Sequence, residues 1–148
     1  MPLEMLFKWA NYAVLPFWAL LIAVPRWRWT QRLVHGPAVV LLLTPIYAFL
    51  LFGYATAPEG MTFLTLYGVM IGFSSPHIVA AGWIHYLIFD LFVGAWEARD
   101  ALRRGVPRWL LIPSLLGTLL FGPIGLLLYV VARFFTTGVL EYEETGEL

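Results

Sequence analysis

The sequence predicts an all-α integral membrane protein of four transmembrane helices with one short interfacial or re-entrant segment. Three observations lead there. Apolar residues make up 61% of the 148 and charged residues only 12%, with a mean hydropathy of +0.81, well beyond an ordinary soluble domain. Apolar runs recur at the length of about 20 residues that a helix needs to cross hydrocarbon. Arginines gather in two of the connections and are missing from the connection between them, as loops on opposite sides of a bilayer require.

The first span runs from about Leu6 to Val24. It starts beside Glu4 and Lys8, and no small-residue cleavage motif follows it, so it reads as a retained helix rather than a signal peptide. The second covers about Pro37 to Tyr54. Met61 to Phe73 is too short to cross and reads as interfacial or re-entrant. In "FSSPH" (Phe73 to His77), Ser75 suits a helix cap and Pro76 the first helical position, which opens the third span, about Pro76 to Trp96. The fourth, about Trp109 to Phe135, carries Pro123, expected to bend it and free the Leu119 carbonyl. No internal repeat relates the spans. The chain therefore reads as one membrane domain over residues 1–148, ending in an acidic tail (139–148), and it is compatible with a homo-oligomer.

Arg26, Arg28 and Arg32 lie in the first connection and Arg99, Arg103, Arg104 and Arg108 in the third. Those loops are expected on the cytoplasmic side and both termini on the other. Trp27, Trp29, Trp96 and Trp109 flank these ends as an aromatic belt would. The formal net charge of zero, without a basic patch, excludes a nucleic-acid partner. With no cysteine in the chain, disulfides and thiolate chemistry are absent. His77 lies near the outer end, His35 near the inner end and His85 near the midplane, so no metal site is expected. No phosphate loop, triad, haem or flavin motif is visible, and no cofactor is identified.

The chemistry-bearing stretch is "WIHYLIFDLFVGAWEARD" (Trp83 to Asp100), which places His85 and Asp90 inside a membrane span. At about 100° per residue they stand about 140° apart, His85 near the midplane and Asp90 nearer the cytoplasmic third. His85 shares a stripe with Phe89, Phe92, Trp96 and Arg99, while Trp83, Asp90 and Glu97 form a second. Neither short side chain can snorkel to water, and an intramembrane carboxylate is by default a functional candidate. Tyr86, one turn before Asp90, is a natural partner for it. Asp100, beside Arg103 and Arg104, reads as a member of a surface ion pair. On the fourth span Ser114, Thr118, Phe121, Gly122, Gly125 and Tyr129 share one sector. That strip suits close helix packing or a slot for a long flat ligand.

"HYLIFDLFVGAWEARD" (His85 to Asp100), "LLFGPIGLLLYVVAR" (Leu119 to Arg133) and "LPFWALLIAVPRWRWTQRL" (Leu15 to Leu33) together resemble the membrane-protein family named after abscisic-acid-deficient four. The resemblance implies a four-helix protein acting on carotenoids, either by the epoxide-opening isomerisation that forms neoxanthin or, as a related reading, by cleavage of β-carotene to retinal. The chain begins without a long transit-type segment, which suggests a bacterial member in the cytoplasmic membrane.

On this reading the partners are a lipophilic polyene and the bilayer. Asp90 is the proton donor or cation stabiliser and His85 its proton partner. Trp83, Tyr86, Phe89, Phe92, Thr118, Phe121, Gly122, Gly125 and Tyr129 line the substrate. The competing expectations are a non-catalytic carotenoid-binding or assembly protein and a small proton-coupled transporter.

Overall fold

The computed structural model describes residues 2–54 and 56–140. The acidic tail lies, from Glu141 onward, outside the described residues. All secondary structure among the described residues is helical. The chain divides into two compact units, one through Phe92 and the other from Val93, and a single long helix runs through that point.

In the first unit, α1 (Leu3–Ala23) buries Ala10, Val14, Trp18 and Leu21, a stripe at helical spacing that makes one face of the helix the packing face. Its C-terminal end is closed by side chains of the next segment. Thr30 donates its hydroxyl to the Val24 carbonyl at 2.8 Å and Gln31 its amide to the Pro25 carbonyl at 2.7 Å. These bonds hold the following segment against the chain just past the helix end. The short α2 (Arg28–Leu33) leads into α3 (Ala38–Ala48), which contains Pro45 and continues as a π-helical turn over Phe49–Tyr54. A proline inside a helix has no N–H for the preceding turn, and a wider-wound segment follows it here.

The stretch expected to lie at the interface folds as α4 (Leu66–Gly72), seven residues long, with Thr65 accepting from the Gly68 amide at 3.1 Å. Helix α5 (Pro76–Arg104) then runs for 29 residues. Pro76 takes its first position, as the sequence indicates. The helix is longer than the expected third span because Glu97 to Arg104 remain helical.

Three segments are long and apolar enough to cross a membrane, Leu3–Ala23, Arg28–Gly53 and Pro76–Arg104. The fourth expected span is not a single helix. It breaks into α6 (Arg108–Phe121) and α7 (Pro123–Thr137), each about 21–23 Å long at 1.5 Å per residue. The break is at Gly122, whose φ of 54° and ψ of −106° suit a residue without a Cβ. Pro123 therefore starts a new helix, where its missing N–H costs nothing, instead of bending a continuous one.

The chain reverses direction at this break. Thr118 on α6 donates to Glu97 Oε1 at 2.8 Å, yet Tyr129, eleven residues further on, donates to Asp100 Oδ2 at 2.6 Å. A straight continuation would have carried Tyr129 about 16 Å beyond the level of Thr118. Close packing requires the glycines of the two arms. A Cβ built on Gly117 comes within 2.9 Å of the Gly125 Cα, and one on Gly125 would collide with the backbone of Gly117 and Thr118.

The hairpin is closed onto α5 by charge. Asp100 is 2% exposed and Arg133 wholly buried, so Asp100 is a buried acid and not the surface ion-pair member expected from its neighbours. Its carboxylate receives Arg104 Nε at 2.9 Å, Arg133 at 3.3 Å and the Tyr129 hydroxyl. Trp96 sets its ring edge-on to Tyr129, centroids 5.6 Å apart, with the Arg133 guanidinium 5.9 Å from the Trp96 ring. Trp96 thus packs over this cluster, whereas Trp27, Trp29 and Trp109 are exposed as belt residues should be. Arg133 also donates to the Leu140 carbonyl at 2.6 Å, which holds the chain beyond α7 to the hairpin's open end.

Two stability results follow. Gly125→Val should unfold the chain in detergent at a markedly lower temperature than the parent, because backbone and not a flexible side chain meets the new atoms. Asp100→Leu removes the carboxylate that Arg104, Arg133 and Tyr129 share and should cost about 3–5 kcal/mol in reversible unfolding. The double variant Asp100→Leu/Arg133→Leu should lose less than Asp100→Leu alone.

Candidate functional site

Two helical stripes in the first unit define the site. On α5, Ile78, Gly82, His85, Phe89 and Phe92 recur at intervals of four and three residues, the spacing of one helix face. On α3 and the turn after it, Val40, Thr44, Tyr47 and Leu51 repeat the same intervals. Both stripes line an apolar groove made of two chambers. One, of about 370 Å³, lies among Val40, Thr44, Tyr47, His85, Phe89 and Phe92. The other, of about 200 Å³, lies among Leu51, Met61, Phe63, Phe73, Ile78 and Gly82. Tyr47 and His85 line both chambers.

Oxygen- or nitrogen-bearing side chains are few in this groove. Among its lining residues only Thr44, Tyr47 and His85 carry them. The His85 ring lies 4.5 Å from that of Phe89 and 6.0 Å from that of Tyr47, measured between centroids. Both contacts are tilted, so aromatic surface borders the imidazole on two sides. Val40, Phe89 and Phe92 are exposed, which leaves the first chamber open along its side. A further cavity of about 390 Å³, beside Leu3, Phe49 and His77, shares no lining residue with either chamber.

The residues expected to form one site fall into three places. His85, Phe89 and Phe92 line the groove. Trp83, Tyr86 and Asp90 are on another face of α5, as their angular separation from His85 requires. Trp83 donates to Asn11 on α1 at 3.0 Å and stacks obliquely with Phe7 and Tyr86 at 5.6 and 5.3 Å. The Tyr86 hydroxyl approaches the Asp90 carboxyl, and Asp90 Oδ2 is buried without a hydrogen bond to any described residue.

Thr118, Gly122, Gly125 and Tyr129 belong to the second unit, where they build the hairpin and its ion cluster. Phe121 is there too, with 61% of its surface exposed. The strip on the fourth expected span is therefore a helix-packing surface, because Gly117, Thr118 and Gly125 meet backbone to backbone and leave no slot between the arms.

Tyr47 and Thr44 are members of the groove that the histidine-centred reading of α5 missed. Their signal was the spacing of the second span, in which a threonine and a tyrosine interrupt an apolar stripe. Glu97 and Arg133 were missed as partners of the second unit. Arg133 is the one charged residue between Trp109 and Leu140, and a lone arginine in so apolar a stretch calls for a buried carboxylate. No group of three or more histidine, aspartate or glutamate side chains converges to metal-binding geometry among the described residues.

No solved structure matches the chain. Among curated proteins it is similar to Protein ABA DEFICIENT 4, chloroplastic, of Arabidopsis thaliana, 28% identical over 136 residues. That alignment covers 86% of this chain and 58% of the relative, so the chain spans little more than half of the plant protein's length. Residues 5–129 match the sequence model of the ABA DEFICIENT 4-like family, a stretch that includes all of α5 and every residue lining the groove. The chain belongs to the ABA DEFICIENT 4-like family.

Proposed function

We propose that this protein is a membrane-embedded carotenoid-modifying enzyme that takes a linear polyene from the lipid into the α3–α5 groove and acts on it by proton transfer at His85. The observation that carries this reading is the lining of the groove. It is apolar and aromatic along its length, and its one imidazole, that of His85, lines both chambers. Family membership and the resemblance to the plant relative support carotenoids as the polyene class.

An imidazole can both give and take a proton near neutral pH. Isomerisation needs only that exchange: one proton added to the substrate, one removed elsewhere, with no net change in atoms or electrons. Aromatic faces at Phe89 and Tyr47 would steady a cation that develops between the two steps. Oxidative cleavage to retinal, the other reaction considered for this chain, consumes dioxygen in addition. Asp90 acts from a different face of α5, so its part is support of that helix region through Tyr86 and not direct contact with the ligand in the groove.

The same protein is oriented with the arginine-rich end of α5 in the cytoplasm, following the distribution of positive residues. With α6 and α7 folded back as a hairpin, each arm shorter than a hydrocarbon core of about 30 Å, the C-terminal end of α7 returns to that side. Three crossings then put the N-terminus opposite to it. This replaces the arrangement with both termini outside, which depended on an even number of crossings.

Expression in bacterial hosts that accumulate β-carotene or violaxanthin, followed by chromatography of the pigments, tests the enzyme. A new pigment should form, His85→Ala should abolish it, and Asp90→Asn should reduce it less. Loss of product in Asp90→Asn but not in His85→Ala would reverse the two roles. Unchanged pigments in every host, with carotenoid still co-purifying, would mark a binding protein instead, and proton flux in pigment-free liposomes would mark a transporter. Because the chain has no native cysteine, single cysteines at Glu4, Arg108 and Leu140 report the topology directly. Arg108→Cys and Leu140→Cys should react with an impermeant maleimide from the same side, and Glu4→Cys from the other.

A further inference from the structure

We infer that the short helix α2 and the turn before it bind the headgroup of an anionic phospholipid, with the Arg28 and Arg32 guanidinia, gathered on the Trp29 ring, as the donors to its phosphate. This site is separate from the groove and does not depend on the polyene reading. The Arg28 guanidinium lies 5.5 Å and that of Arg32 5.8 Å from the centre of the Trp29 ring, within the roughly 6 Å at which an indole face attracts a cation. One side chain thus holds two like charges, and Arg26 adds a third two residues before Arg28.

No neighbouring acid balances them. The sequence holds no aspartate or glutamate between Glu4 and Glu59, and Arg26, Arg28 and Arg32 form no ion pair with a described residue. The arginines after Trp96 are placed differently, since Arg103, Arg104 and Arg133 all reach the Asp100 carboxylate. A counter-charge for α2 must therefore come from outside the described helices. Anionic lipid supplies one at the membrane surface, as headgroup phosphate.

The surroundings of the arginines suit such a ligand. Thr30, wholly buried, and Gln31 donate to the Val24 and Pro25 carbonyls, so the backbone that carries the guanidinia is tied to the end of α1. Val24, Trp27, Trp29 and Leu33 are exposed, and α2 opens the candidate span Arg28–Gly53. Charge and apolar surface therefore alternate at a membrane boundary, where a headgroup passes into its acyl chains. The choice of arginine has a reason of its own. A guanidinium offers phosphate two parallel N–H donors and stacks on an aromatic ring, whereas a lysine brings the same charge without either property. Retention of positive residues on one side of a bilayer would be served equally by both.

The full-length protein in a non-ionic detergent is titrated with phosphatidylglycerol and with phosphatidylcholine, and retained lipid is counted by native mass spectrometry. Phosphatidylglycerol should bind at least about tenfold more tightly. Arg28→Gln/Arg32→Gln should remove that preference, whereas Arg99→Gln/Arg108→Gln, an equal change of charge elsewhere, should leave it. Arg28→Lys/Arg32→Lys and Trp29→Leu should each reduce it by about threefold or more. Arg28, Trp29 and Arg32 are all exposed, so these variants should melt with the parent. Equal retention of the two lipids by the parent, an equal loss in Arg99→Gln/Arg108→Gln, or full preference in the lysine variant would overturn the site. Displacement of the lipid by millimolar inorganic phosphate would mark a site for free anions and overturn the lipid assignment.

Discussion

A buried site offers no water to a charged or hydrogen-bonding group, and this constraint organises both units of the chain. Asp100 meets Arg104, Arg133 and Tyr129, and Glu97 receives the Thr118 hydroxyl. An acid buried without such partners would cost several kcal/mol. Here the partners come from three helices, and supplying them requires the segment after α5 to turn back on itself. The same constraint works in the opposite sense in the first unit. There the walls of the groove are emptied of polar atoms except at Thr44, Tyr47 and His85, and what remains is a surface that only an apolar molecule can fill without loss.

Helix α5 is where the two solutions share one element. Its first part carries alternate faces with separate tasks: His85, Phe89 and Phe92 toward the groove, Trp83 toward Asn11 on α1. Its last turns carry the ion cluster. A 29-residue helix is longer than a bilayer core demands, about 44 Å against about 30 Å. Glu97, Asp100 and Arg104 lie in its last turns.

Much of this was legible in the sequence. Apolar run length located α1, the second span and the start of α5, because those features depend on local composition and on Pro76. The angular separation of His85 and Asp90 correctly placed them on different faces, since a helix fixes that angle whatever surrounds it. The family resemblance, carried by the stretches from His85 and from Leu119, was likewise correct. The break at Gly122 was not legible as a reversal. "FGPIG" fits a kinked helix as well as a turn, and what decides between them is distant: whether Tyr129 and Arg133 have an acid to return to. Asp100 was misread for a related reason. Flanking arginines suggested a solvated ion pair, and only the arrival of α7 buries it. The groove was half visible, through the stripe on α5, while its second wall required knowing that Tyr47 comes within 6.0 Å of His85.

The reversal at Gly122 also has a consequence for biogenesis. Neither arm is long enough to be threaded across the bilayer as an independent span, and Arg133 without a carboxylate partner is costly to bury. The hairpin therefore docks on an α5 that already presents Glu97 and Asp100, because Thr118, Tyr129 and Arg133 find these acids only there. Assembly of this protein thus has an order written into it, with α5 first and the hairpin last.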